Sequence, residues 1–146
     1  MAETGSRQDP LTSFNFIIDI QGIRAGFAEV GGLSGETNIV EYREGSDPHM
    51  APRKLPGQAK YSNINLKRGY TVNGKDLWEW RKSVIEGRTQ RLSGTITLMD
   101  ETRKPALVWR FFEAWPSKWA GPAMNAKNND VAIEELELAV EGVELE

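Results

Sequence analysis

Cysteine is absent from the 146 residues. That removes disulfides, thiolate metal sites and a cysteine nucleophile together, and is compatible with assembly in a reducing compartment. Histidine occurs once, as His49 in a proline-rich stretch, so Ser-His-acid catalysis and histidine-based zinc sites both lack partners. A one-signed charge is missing too: 18 Lys and Arg against 21 Asp and Glu leave a net charge of −3, mixed along most of the chain. Composition therefore makes no case for nucleic acid or an acidic membrane surface as partner. No run approaches the ~18 apolar residues of a membrane span. The opening MAETGSRQDP, with Glu3 and Asp9, lacks the basic-then-apolar order of a secretory signal.

What is present reads as one strand-rich domain over residues 1–146, long enough to bury roughly 68–70% of its unfolded surface. Residues Met1 to Ser13 have the polar, Gly- and Pro-bearing composition of a terminal arm. FNFIIDI then alternates, with Phe14, Phe16, Ile18 and Ile20 on one face, and predicts a strand. Glycines at 26, 31, 32 and 35 around Phe27 and Val30 predict a bulged or bent strand. TNIVEYRE places Val40 and Tyr42 on one face and Ile39, Glu41 and Arg43 on the other, with little to bury. Gly45, Pro48, Pro52, Pro56 and Gly57 break both helix and strand over about residues 45–57, and YSNINLKRGY alternates only through Ile64 and Leu66. Thr37–Glu44 and Tyr61–Tyr70 are thus expected to form a long protruding hairpin. Such a ribbon is either a loose surface feature or an arm that finds its packing on a neighbour.

One helix is predicted, capped by Asn73, striped by Leu77, Trp80 and Val84 with Trp78 and Ile85 beside them, and stopped by Gly87. RLSGTITLM alternates through Leu92, Ile96 and Leu98, and the charged turn DETRKP leads into ALVWRFFEAW, apolar on both faces. From Trp115 a Pro/Gly/Asn loop is expected, carrying Trp119. VAIEELELAVEGVEL closes the chain as one strand with Leu136, Leu138 and Val140 against Glu135, Glu137, Ala139 and Glu141. The expected fold is mainly β: an antiparallel sandwich or barrel-like domain with one packed helix.

Chemistry has several candidates. Gly69 to Asp76, GYTVNGKD, matches G-x-x-x-x-G-K between a strand and a helix, where a phosphate loop belongs, and Asp100 and Glu101 end an apolar strand as magnesium ligands do. Against it, Asp76 replaces the metal-binding hydroxyl, NINLKR is not a buried parallel strand, and one helix does not cover a doubly wound sheet. Ser34 in GLSGE lacks the closing glycine of a nucleophile elbow. Glu134, Glu135, Glu137, Glu141, Glu144 and Glu146 offer acid/base pairs but read as a solvated face and tail. Trp115 and Trp119 offer a sugar platform or a packed loop. No catalytic residue, cofactor or metal site is assigned.

The succession GFAEVGGLSGETNIVEYREG, KLPGQAKYSNINLKRGYT, LWEW and AWPSKWAGPAMNAKNNDVAIEELELAVEG resembles the tail-tube proteins of contractile phages and phage-like contractile injection systems, from about Phe14 to Gly142. The resemblance implies a structural subunit, not an enzyme: hexameric rings stacked into a hollow tube inside a contractile sheath, with cargo protein or DNA in the channel. It implies that the loop at about residues 45–57 reaches the adjacent ring, with assembly contacts at Val40, Tyr42, Asp47, Pro48, His49, Pro52, Arg53, Lys54, Tyr61, Asn63 and Asn65. Glu135, Glu137 and Glu141 are expected on a lumen or sheath face. Implied partners are further copies of itself, the sheath protein, baseplate or spike-adaptor proteins and a tube terminator, without insertion of this chain into a membrane. The implied location is bacterial cytoplasm during assembly, then a phage tail or tail-like particle, outside the cell after lysis. A baseplate-proximal tube initiator of the same fold is the alternative within the class; a carbohydrate-binding sandwich or a nucleotide-binding protein is the alternative outside it.

Overall fold

Alternating apolar residues build the body as strands that share one core. The computed structural model describes residues 9–24, 26–127 and 129–146; most of the expected terminal arm, residues 1–8, lies outside them. In chain order the elements are β1 (Phe16–Ile20), β2 (Ile23–Arg24), β3 (Glu29–Gly31), β4 (Gly35–Tyr42), β5 (Arg53–Tyr61), β6 (Ile64–Gly69), α1 (Asp76–Ile85), β7 (Leu92–Met99), β8 (Pro105–Ala120), β9 (Ile133–Ala139) and β10 (Gly142–Leu145). Every described pairing is antiparallel. The main sheet runs β2-β1-β7-β8-β9-β6-β3, with β10 also on β8, while β4 and β5 form a separate two-stranded ribbon.

β8 is shared between two half-sheets. Up to Ala114 it pairs with β7, and residues 109–112 also pair with β10; from Trp115 to Ala120 it pairs with β9. At the changeover β8 carries an extra residue opposite β7, and Glu113 takes a positive φ of 52°. Such a bulge turns a strand from one sheet to another. Ile18, Ile20, Ile96 and Phe111 of one half and Ile64, Leu66, Leu136 and Leu138 of the other belong to a single buried cluster, so the halves face each other as a sandwich. The strand path stays open at β2 and β3 and does not close into a barrel.

Four expectations are corrected. The loop predicted from Trp115 is strand up to Ala120, including Pro116, whose buried ring adjoins a register shift between Pro116 and Lys118. A bulge is where a strand tolerates the missing N–H. The ribbon returns through Arg53–Tyr61 rather than Tyr61–Tyr70, with Pro56 and Gly57 inside the strand: β5 spends an extra residue opposite Asn38. Gly57 sits where an added Cβ would lie 2.9 Å from the Asn38 carbonyl oxygen. β6, by contrast, is a body strand between β3 and β9. The acidic tail is two strands, β9 and β10, because the chain leaves β6 after Ala139 and crosses to the other part of β8.

The fourth concerns the helix, which starts at Asp76 and not from an Asn73 cap; Lys75 precedes it without a side-chain cap. Asp76 Oδ1 instead accepts from the Leu77 N–H at 3.0 Å. Gly87, at φ 77°, ends it as expected. The Gly87 N–H donates to Val84 and the Arg88 N–H to Ser83, the paired bonds of a Schellman motif. Leu77 and Trp80 enter the core, whereas Trp78 and Ile85 stay exposed, so the buried stripe is narrower than predicted.

Candidate assembly surfaces

A buried ionic cluster fixes the base from which the surfaces project. Arg68 on β6 is level with Glu134 on β9 and donates to it from Nε at 2.8 Å; its Nη2 donates to Asp76 at 2.5 Å and to the Gly74 carbonyl at 3.1 Å. Trp119 Nε1 donates to the second Glu134 oxygen at 2.7 Å. Burial alone would lower the guanidinium's pKa, but the bonds and charges of Asp76 and Glu134 outweigh it and hold Arg68 above its ordinary value. Burial and the Glu134 charge raise the Tyr70 phenol. Glu134, expected on a solvated face, is therefore a core residue. Its signal was its phase: Glu134 precedes Leu136 and Leu138, and Arg68 follows Ile64 and Leu66, at the two-residue period of the buried face.

The same cluster accounts for the phosphate-loop match. The Gly74 carbonyl and the Asp76 carboxylate are held by Arg68, and the Gly74 N–H donates to Thr71 at 3.0 Å. Asp100 caps its own turn, accepting from the Thr102 N–H and hydroxyl and the Lys104 N–H. Trp119 stacks at 4.9 Å and 55° on Trp78, while Trp115 is half-buried. This is the packed alternative, not a flat sugar platform.

The ribbon is the conspicuous surface. Between Gly35 and Tyr61 every residue is exposed except half-buried Asp47. Val40 is level with Leu55, Glu41 with Lys54, and Tyr42 with Arg53. Asp47 organises the tip: it accepts from the Glu44 N–H at 3.2 Å and pairs with Arg53 at 3.4 Å. Arg43 donates to the carbonyls of Asp47 and His49, and Pro48 and Pro52 lie in the same turn. Asp47 and Arg53 thus act first inside the loop, leaving His49 and Lys54 outward. Tyr61 stands at the root, opposite Gly35.

Asn63 and Asn65 are not on the ribbon. Asn63 donates to Glu137 at 3.1 Å and Asn65 is level with Glu137, so both belong to the outer face of β6 and β9. On that face Lys67 bridges Glu29 at 3.8 Å and Glu135 at 3.7 Å. Glu141 lies apart, beyond the end of β9, its N–H donating to Phe112. At the ribbon's base Gly32, at φ 88°, packs so closely under the Asn63 carbonyl that no side chain fits, and the Ser34 and Ser62 hydroxyls share a hydrogen bond. Ile39, Leu55, Pro56 and Ala59, also exposed on the ribbon, were not singled out by sequence because the return strand was placed too late.

Solved structures share this architecture. An extracellular contractile injection system, the PVC sheath-tube complex in its extended state, contains a chain 25% identical that superposes with a TM-score of 0.88, covering 100% of this chain and 99% of that one. The PVC sheath/tube terminator in its extended state gives 26% identity and a TM-score of 0.86 over 95% of this chain and 98% of that one. Hcp1 from Flavobacterium johnsoniae, at 12% identity and a TM-score of 0.57, covering 90% and 94%, shares the fold. No curated protein sequence matches significantly. Residues 12–144 match the family model of the T4-like virus tail tube protein gp19, and the chain belongs to that tail tube family.

Proposed function

We propose that this chain is the repeating subunit of the inner tube of a contractile injection system or phage tail. Six copies close into a ring, and rings stack head to tail into a conduit for protein cargo or DNA. A head-to-tail interface does not close on itself, so growth continues until another component ends it. The work is mechanical: the tube needs rigidity and a wet channel, and no reacting group. The observation that carries the reading is the ribbon Gly35–Tyr61, exposed on both faces beside a body whose described buried polar side chains are all partnered. An isolated two-stranded hairpin is marginal in water, and a neighbouring ring supplies what the body does not. Sheath, baseplate and terminator proteins are the proposed partners, by likeness to chains in such assemblies.

Deleting Asp47 to Lys54 is expected to leave a folded protomer that forms no stacked tubes by negative-stain microscopy; tubes of wild-type length would refute the reading. The similarity to a sheath/tube terminator chain supports a second reading, a component at the end of the tube. Purified protein of that kind gives single rings, whereas a bulk subunit gives long tubes. We further propose that the outer face carrying Glu135 and Glu137 lines the lumen or meets the sheath. Reversing both charges is expected to change cargo loading or sheath assembly, and a variant normal in both would count against this placement.

A further inference from the structure

The ribbon is amphipathic in each half, but on opposite faces. Cross-strand partners share a face and successive rows alternate. The rows Gly35/Tyr61, Thr37/Ala59 and Ile39/Pro56 point one way, with Glu36/Lys60 behind them. Beyond Ile39 the pattern reverses: Val40/Leu55 and Tyr42/Arg53 point the other way, and the first face continues as Glu41/Lys54. The bulge opposite Asn38 makes the exchange possible. Without the extra β5 residue, Leu55 would fall on the Ile39 face and neither side would carry a coherent apolar patch. Ile39 is 62% exposed, Val40 50% and Leu55 45%, so both patches lie open.

Resting on the tube reading, we infer that each ribbon is held between two other copies of this chain, one against each face. The root-half face is continuous with the body: Tyr61, Leu33, Trp109, Val143 and Leu145 line one cleft of about 190 Å³ between ribbon and β10. A copy covering Ile39 and Ala59 therefore sits beside the body, in the same ring. The tip-half patch begins beyond the bulge. A nine-residue strand reaches roughly 30 Å, which carries Leu55 and Tyr42 off the body to a copy in the next ring. Charge agrees with a second copy as occupant: the ribbon's four acidic residues are matched by four basic ones, so it meets a body of the same chain, itself net negative, without repulsion.

The cysteine-free chain allows a direct test. Ile39→Cys and Leu55→Cys are introduced separately, and maleimide labelling is compared before and after assembly. Both thiols are expected to react freely in the protomer and to lose at least about tenfold in rate in tubes. In parallel, Ile39→Asp is expected to yield protomers without closed rings, and Val40→Lys with Leu55→Asp to yield closed rings that do not stack. Tubes in which either thiol stays reactive, or charge variants that stop at the same stage, would overturn the two-copy arrangement while leaving the tube intact. Wild-type protein that forms neither rings nor tubes would overturn the tube reading and this one with it.

Discussion

Arg68 and Glu134 show how a residue's role follows from its phase along a strand. Each occupies an inward position of an otherwise apolar face, and each is deeply buried, so neither charge is affordable without the other. The cluster links β6, β9, the start of α1 and, through Trp119, the end of β8. Removing one partner strands the other in low dielectric. Glu134→Ala is expected to destabilise the protomer by about 3–5 kcal/mol, read by chemical denaturation, with Glu134→Gln losing less because an amide oxygen still accepts from Arg68. Composition counted Glu134 with five glutamates of a polar tail; the alternation that continues into Leu136 and Leu138 held the contrary information, and only pairing with β6 showed that a cation waits opposite.

At the scale of elements, local chemistry decided turns better than strand ends. Gly87 ends α1 and the Asp100 turn joins β7 to β8, as their residue types demand. Asp100 is also a pH-dependent contributor. The Lys104 backbone N–H first, and then the Thr102 hydroxyl, hold its carboxyl below the ordinary 3.8. A carboxylate whose folded pKa is depressed contributes stability above its unfolded value and loses it as pH falls through the folded one. The thermal-midpoint difference between wild type and Asp100→Ala is therefore expected to be constant from neutral pH to just above 3.8 and to shrink below it. Midpoints that diverge further on acidification would contradict this. The strands β5 and β8 were harder to read, because prolines at 56 and 116 signal interruption. Bulges accommodate them, and a bulge is a property of two strands together.

For the whole molecule, the contrast lies between a satisfied body and an unsatisfied ribbon. The body buries its apolar residues in one cluster, and every described buried polar side chain is partnered. The ribbon buries nothing, so its backbone hydrogen bonds are open to solvent and its opening free energy lies at the low end of the molecule's range. Amide exchange over residues 35–61 is expected to be fast in the protomer and slowed at least about a hundredfold in assembled tubes, while β6 and β9 stay protected in both. Equal exchange in the two states would show that the ribbon gains no cover.

By itself the sequence determined the class of fold, the helix and its glycine stop, the protruding polar hairpin and, through ordered motifs spread along the chain, the resemblance to tail tubes. These are consequences of local periodicity, turn chemistry and composition. Only the tertiary structure decided which strands pair, that the sandwich remains open, that Glu134 is buried and that the ribbon exchanges its apolar face at a bulge. Each of these depends on register between segments far apart in the chain, and a shift of one residue in register reverses which side chains face in.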